Sequence, residues 1–167
     1  MDTNQQTVSS VTLMILGEEL EPSTVSDLVK LEPSQSWKRG EEKKFAKSTF
    51  YEWGGWKRFL EETDDSVEEK IASWIGILEG KAEAFKAIKN YGWKASLDAF
   101  IAFNEASTIS ISNDLSRKIG ELNLDIDFSL QAENRGANKA THTTSANARL
   151  FDNEPIEIND PRHGGQV

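Results

Sequence analysis

Residues 64–103 read DDSVEEKIASWIGILEGKAEAFKAIKNYGWKASLDAFIAF, and this stretch decides the fold. Val67, Ile71, Trp74, Ile75, Leu78, Ala82 and Phe85 recur every three or four residues. That period lays them on one face of a helix about 18 residues long. Asp64 or Asp65 caps it, and Glu68 and Glu69 sit in the first turn, where the helix dipole favours anions. Lys81, Lys86 and Lys89 gather late, where it favours cations, and Tyr91-Gly92 ends the element, with Gly92 just past the last turn. After that glycine the period changes from helical to alternating. Trp93–Phe103 places Leu97, Ala99 and Ile101 on one face, as a strand does. A long one-sided helix feeding a strand calls for a sheet that the helix can cover.

The flanking segments supply that sheet. VSSVTLMILG (Val8–Gly17) has the β-branched and apolar content of a central strand. Pro22 then opens a short helix that carries Val25, Leu28 and Val29. Leu31–Lys47 shows no period, contains Pro33 and Gly40, and reads as a loop. STFYEWGGWKRFLE (Ser48–Glu61) reads as a strand interrupted by Gly54-Gly55. Paired glycines there imply a bulge, a hairpin tip or a group packed tightly on the backbone. Beyond the long helix, STISIS (Ser107–Ser112) extends the preceding strand or forms a short one. Ser112 or Asn113 caps a short helix carrying Leu115, Ile119 and Leu122. Leu124–Leu130 alternates strictly, with Leu124, Ile126, Phe128 and Leu130 inward and Asp125, Asp127 and Ser129 outward. The whole reads as α+β: one two-layer domain over residues 1–132, with a mixed or antiparallel sheet and one long and two short helices on one face, a variant of the ferredoxin-like pattern. Residues 133–167 are rich in Asn, Thr, Ala and Gly and read as a flexible polar tail. One island in it, ARLFDNEPIEIND, has the apolar anchors to dock as a strand on this domain or on a partner, which also offers a route to a homodimer.

Composition excludes several chemistries. The 167-residue chain has no cysteine, so it has neither disulfides nor thiolate zinc sites. No apolar run reaches the roughly 18 residues that mark a membrane span, and the N-terminal stretch lacks the basic region of a secretory signal, so the expectation is a cytoplasmic protein. A net charge of −9 repels nucleic-acid phosphates and anionic lipid.

Several motifs resemble a bacterial and phage family known as domain of unknown function 4279. The apolar first strand with its glycine leads into LMILGEELEPSTVSDLVKLEPSQSWKRGE. This contains a Leu-x-Pro-Ser-x-Ser-Trp-Lys-x-Gly unit at Leu31, Pro33, Ser34, Ser36, Trp37, Lys38 and Gly40. YEWGGWKRF resembles the family's strand ending in Gly-Trp, and LSRKIGELNLDIDFSL its closing helix and strand. The likeness covers roughly residues 8–131. It implies no enzymatic activity, and it implies kinship with small immunity-type and accessory proteins.

The candidate site follows from charge and aromatics. Trp37, Trp53 and Trp56 lie among Lys38, Arg39, Lys43, Lys44, Lys47, Lys57 and Arg58, opposed only by Glu41, Glu42 and Glu52. Such a stretch serves as core anchors with a solvated rim, as a protein-binding surface, or as an anion site with a stacking ring. The candidate partner- or ligand-binding residues are Trp37, Lys38, Arg39, Trp53, Trp56, Lys57 and Arg58. An acidic surface of Glu61, Glu62, Asp64, Asp65, Glu68 and Glu69 faces a basic partner. No catalytic set, metal site or cofactor motif is expected. The only histidines, His142 and His163, lie in the tail, where a base is poorly positioned. Asp125 and Asp127 share a strand face and read as a solvated pair rather than a magnesium site. The leading expectation is a non-catalytic acidic module of the inhibitor or immunity type that occludes a partner protein. The alternative is a sensor of a small anionic ligand or nucleotide built on residues 37–58.

Overall fold

The computed structural model describes residues 8–103 and 108–132. Along it run β1 (Val8–Gly17), α1 (Pro22–Val29), β2 (Gln35–Trp37), β3 (Gly54–Phe59), α2 (Val67–Ile77), α3 (Ala82–Asn90), β4 (Lys94–Phe103), α4 (Asn113–Glu121) and β5 (Asp125–Ala132). The strands form one sheet in the order β2-β3-β1-β4-β5. β3 lies between β1 and β2, and β1 lies between β3 and β4, so the first four strands make the two split β-α-β units of a ferredoxin-like sheet. All three of their pairings are antiparallel. β5 is added beside β4 in parallel. A parallel neighbour needs a crossover, and α4 provides it. The fold class is thus the expected α+β arrangement, with four helices rather than three.

The helices cover one face. Val11, Leu13 and Ile15 of β1, Trp56 of β3 and Leu97, Ala99 and Ile101 of β4 meet Ile71, Trp74, Leu78, Phe85 and Ile88 in a single core. Two polar contacts lock it. The Trp74 indole N–H donates to the Val11 carbonyl at 2.9 Å. Lys70 is buried to its tip, and its ammonium donates to the Ser9 carbonyl at 2.6 Å. Its stem packs with the core while the charge reaches polar backbone, as long cationic side chains do.

The long helix expected from Val67 to Phe85 is two helices. Gly80 takes a φ of +76°, a left-handed conformation that ends the helical path. The break lets α2 lie on β1 while α3 packs against α1, which a straight rod could not do at once. The cap is Ser66, not Asp64 or Asp65. Its hydroxyl accepts from the Glu69 N–H, and the Glu69 carboxylate accepts from the Ser66 N–H at 2.8 Å, a complete capping box. Leu31–Lys47 is not all loop, because β2 lies within it. Ser48–Trp53 belongs to a returning hairpin leg, and β3 begins only at Gly54. Residues 108–112 form no strand. Ile109 and Ile111 pack on the core and Ser110 donates its N–H to Glu68 at 2.8 Å in place of a ladder partner. The proposed docking of the tail and the homodimer through it lie outside the described residues. No helix among the described residues is long and apolar enough to cross a membrane.

Candidate functional site

The three tryptophans of the 37–58 stretch go to three different places. Trp56 faces the helices, fully buried, and its indole N–H donates to the Ser26 hydroxyl on α1 at 3.1 Å. Trp37 lies on the opposite, helix-free face of the sheet. A Cβ on Gly55 would stand 2.1 Å from the Trp37 ring, so glycine is what lets the indole lie flat on β3. The Trp37 N–H donates to the Trp53 carbonyl at 3.0 Å, and its ring stacks on Tyr51 with centroids 4.7 Å apart. The Lys57 ammonium sits 5.3 Å from the Trp37 ring centroid, within cation–π range. Trp53 itself is exposed.

The cations are equally divided. Lys38 pairs with Glu21 at 2.8 Å, and Arg39 pairs with both Glu18 and Glu19 at 2.8 Å. Those acids lie in the turn between β1 and α1. The hydrogen bond from Lys38 to Glu21 raises the lysine's pKa, and the bond to Glu19 does the same for Arg39. Arg58 instead donates to the Glu32 carbonyl at 2.5 Å. Lys57 thus comes to lie over the ring of Trp37, and Lys43 over that of Tyr51 at 5.7 Å from its centroid.

Between β2 and β3 the chain makes an ordered arm, residues 38–53. Gly40 N–H bonds the Tyr51 carbonyl, Tyr51 N–H the Glu41 carbonyl, and Lys43 N–H the Thr49 carbonyl, at 2.8–2.9 Å. Ser48 turns the tip with a φ of +61° and donates its N–H to the Glu42 carboxylate at 2.7 Å. On this arm three large aromatics stand in solvent: Phe45 is 74% exposed, Phe50 55% and Trp53 56%. Sequence reasoning had singled out Trp53 but passed over Phe45 and Phe50, whose signal was their place in a polar, aperiodic segment.

The acidic run is partly structural. Glu69 completes the α2 cap, Glu68 accepts from Ser110, and Asp65 accepts from the Thr63 hydroxyl at 2.8 Å. Glu61, Glu62 and Asp64 stand exposed on the loop that enters α2.

A row that sequence reasoning missed crosses the helix-free face. The register sets Lys57 opposite Met14, Met14 opposite Ser96, and Asp98 opposite Asp127. Lys57 and Ser96 are buried there. Burial pushes the Asp98 carboxyl above the usual carboxylate range. The Ser96 hydroxyl, which donates to it at 2.7 Å, pulls the other way, as do the charges of Lys57 and Lys94, while Asp127 adds to the rise. Lys94 reaches Asp127 at 2.9 Å and Asp125 at 3.9 Å, so these acids are bridged by a cation. Among the described residues no three His, Cys, Asp or Glu are grouped to hold a metal ion.

Comparison with known proteins gives one result at the level of family. No curated protein and no solved structure matches the chain. The family model described as Domain of unknown function (DUF4279) matches residues 5–133, which contain every described strand and helix. The chain belongs to the DUF4279 family.

Proposed function

We propose that this protein is a non-catalytic protein-binding module that docks a partner on the arm 38–53 and acts by covering that partner's surface. One observation carries the reading: Phe45, Phe50 and Trp53 are held exposed on an arm whose backbone is hydrogen-bonded. A soluble surface rarely spends three large aromatics on one short hairpin, and aromatic anchors dominate the energetics of protein interfaces. A pre-ordered arm also lowers the entropy cost of docking. Net charge of −9 and the exposed Glu61, Glu62 and Asp64 favour a basic partner and speed its approach.

The experiment places a photo-crosslinking side chain at Phe45 in the producing cell and identifies the captured protein. The purified pair is then titrated with Phe45→Ala, Phe50→Ala and Trp53→Ala. Hot-spot truncations cost about 2 kcal/mol each, roughly thirtyfold in Kd. Equal affinity for all three variants removes the arm from the interface.

A second reading, a sensor of a small polar ligand, is favoured by the Trp37–Lys57 pair beside Ser96 and Asp98. Its site is the helix-free face rather than the full 37–58 stretch, since Arg39 and Arg58 are engaged elsewhere. Calorimetric titration with nucleotides and with Lys57→Met separates it from the first: heat lost in that variant supports a ligand, and no heat with the intact chain removes it.

A further inference from the structure

The sheet has two very unequal edges. β2 is three residues long, whereas β5 is eight. Short edges, proline, bulges and edge lysines are the usual guards against strand pairing. β5, DIDFSLQA, has no proline and no lysine. Its two carboxylates, Asp125 and Asp127, lie on the helix-free face and are drawn toward Lys94. On the other face Phe128 is 42% exposed and Leu130 60%. Among the described residues β5 has no neighbour on its outer side.

We propose that β5 pairs antiparallel with β5 of a second copy of this chain, about a two-fold axis at Ser129, joining two five-stranded sheets into one. The sequence of the strand is self-complementary in that register. A symmetric pair places residues whose numbers sum to 258 opposite one another. Phe128 then meets Leu130 of the second copy, and Leu130 meets its Phe128, so each of the four exposed apolar side chains gains one cross-strand partner. Such pairs are the unit of sheet stabilisation. On the other face Asp127 meets Gln131 of the second copy, whose amide is a donor for the carboxylate. Ser129 meets itself, and from Ile126 to Ala132 no acid faces an acid; at the strand end Asp125 is set against the acidic position 133 of the second copy, a cost that salt screens. Pairing of this kind is isologous and closes after two copies. The net charge of each chain opposes the approach, so added salt tightens the dimer. This surface is separate from the aromatic arm, and neither reading depends on the other.

The test is sedimentation of the full chain over a wide concentration range, at moderate and high salt. The expected result is a monomer–dimer equilibrium that salt shifts toward dimer. Leu130→Lys brings a cation against Phe128 of the second copy and weakens the dimer at least tenfold. Leu130 is exposed, so the variant folds, and circular dichroism checks this. Phe45→Ala leaves the dimer unchanged. Because the chain has no cysteine, Ser129→Cys forms a disulfide-linked dimer on oxidation, whereas Asp125→Cys does not. A chain that stays monomeric throughout overturns the proposal, and so does a dimer that Leu130→Lys leaves intact.

Discussion

Gly54 and Gly55 show how far a single residue can be read. Their pairing within an aromatic strand announces a close approach, and the structure supplies it. The Leu20 carbonyl stands where a Gly54 Cβ would lie, 2.6 Å away, and the Trp37 ring stands over Gly55. Gly55→Ala is expected to lower stability by about 1–3 kcal/mol, the usual cost of overpacking, read as a lower urea midpoint. What stays illegible at this scale is which partner a charge finds. Lys38 and Arg39 are answered by Glu18, Glu19 and Glu21 across a turn and a helix, a pairing no local spacing encodes. Asp98 was equally hidden, since a lone acid in an alternating strand looks solvated. Its raised pKa has a definite sign. The native state holds this proton more tightly than the unfolded chain does, so ionised Asp98 subtracts stability above its native pKa. That loss fades as the pH falls toward the ordinary carboxylate range. Asp98→Asn is therefore expected to raise Tm at neutral pH and to lose this advantage in acid, which melting curves across pH would check.

Elements were legible where a period ran long. The buried stripe through Val67, Ile71, Trp74 and Leu78 and the alternation of β4 are both present as read. The break at Gly80 escaped because spacings of three and four continue across it, from Leu78 to Ala82 and Phe85. Gly80→Ala is expected to cost roughly 1 kcal/mol, since an L residue is strained at this positive φ. Ser66→Ala should cost about 1 kcal/mol through the lost cap, and denaturant melts distinguish both from a neutral surface change. β2 was invisible because three residues carry no period. Its place is fixed by β3, through the Ser34 N–H on the Lys57 carbonyl and the Phe59 N–H on the Ser34 hydroxyl. In β5 the alternation named the right faces but not their cover: among the described residues the sheet ends there, and Phe128 and Leu130 are left exposed.

For the molecule as a whole, the order of elements was enough to give the class, while the order of strands and the parallel seating of β5 required the structure. The two surfaces proposed above should respond oppositely to ionic strength. Association of the arm with a basic partner should slow as salt rises, because screening removes steering. Self-association through β5 should strengthen, because screening removes repulsion. Stopped-flow association rates and sedimentation over the same salt series read the two signs independently. Finally, the burial of the tryptophans makes this chain its own optical instrument. Trp37, Trp56, Trp74 and Trp93 are buried, and Trp53 alone is open to solvent. A dissolved quencher such as iodide will therefore dim the emission of one indole, the one on the arm, and shielding of that fraction reports occupancy of the arm without any label.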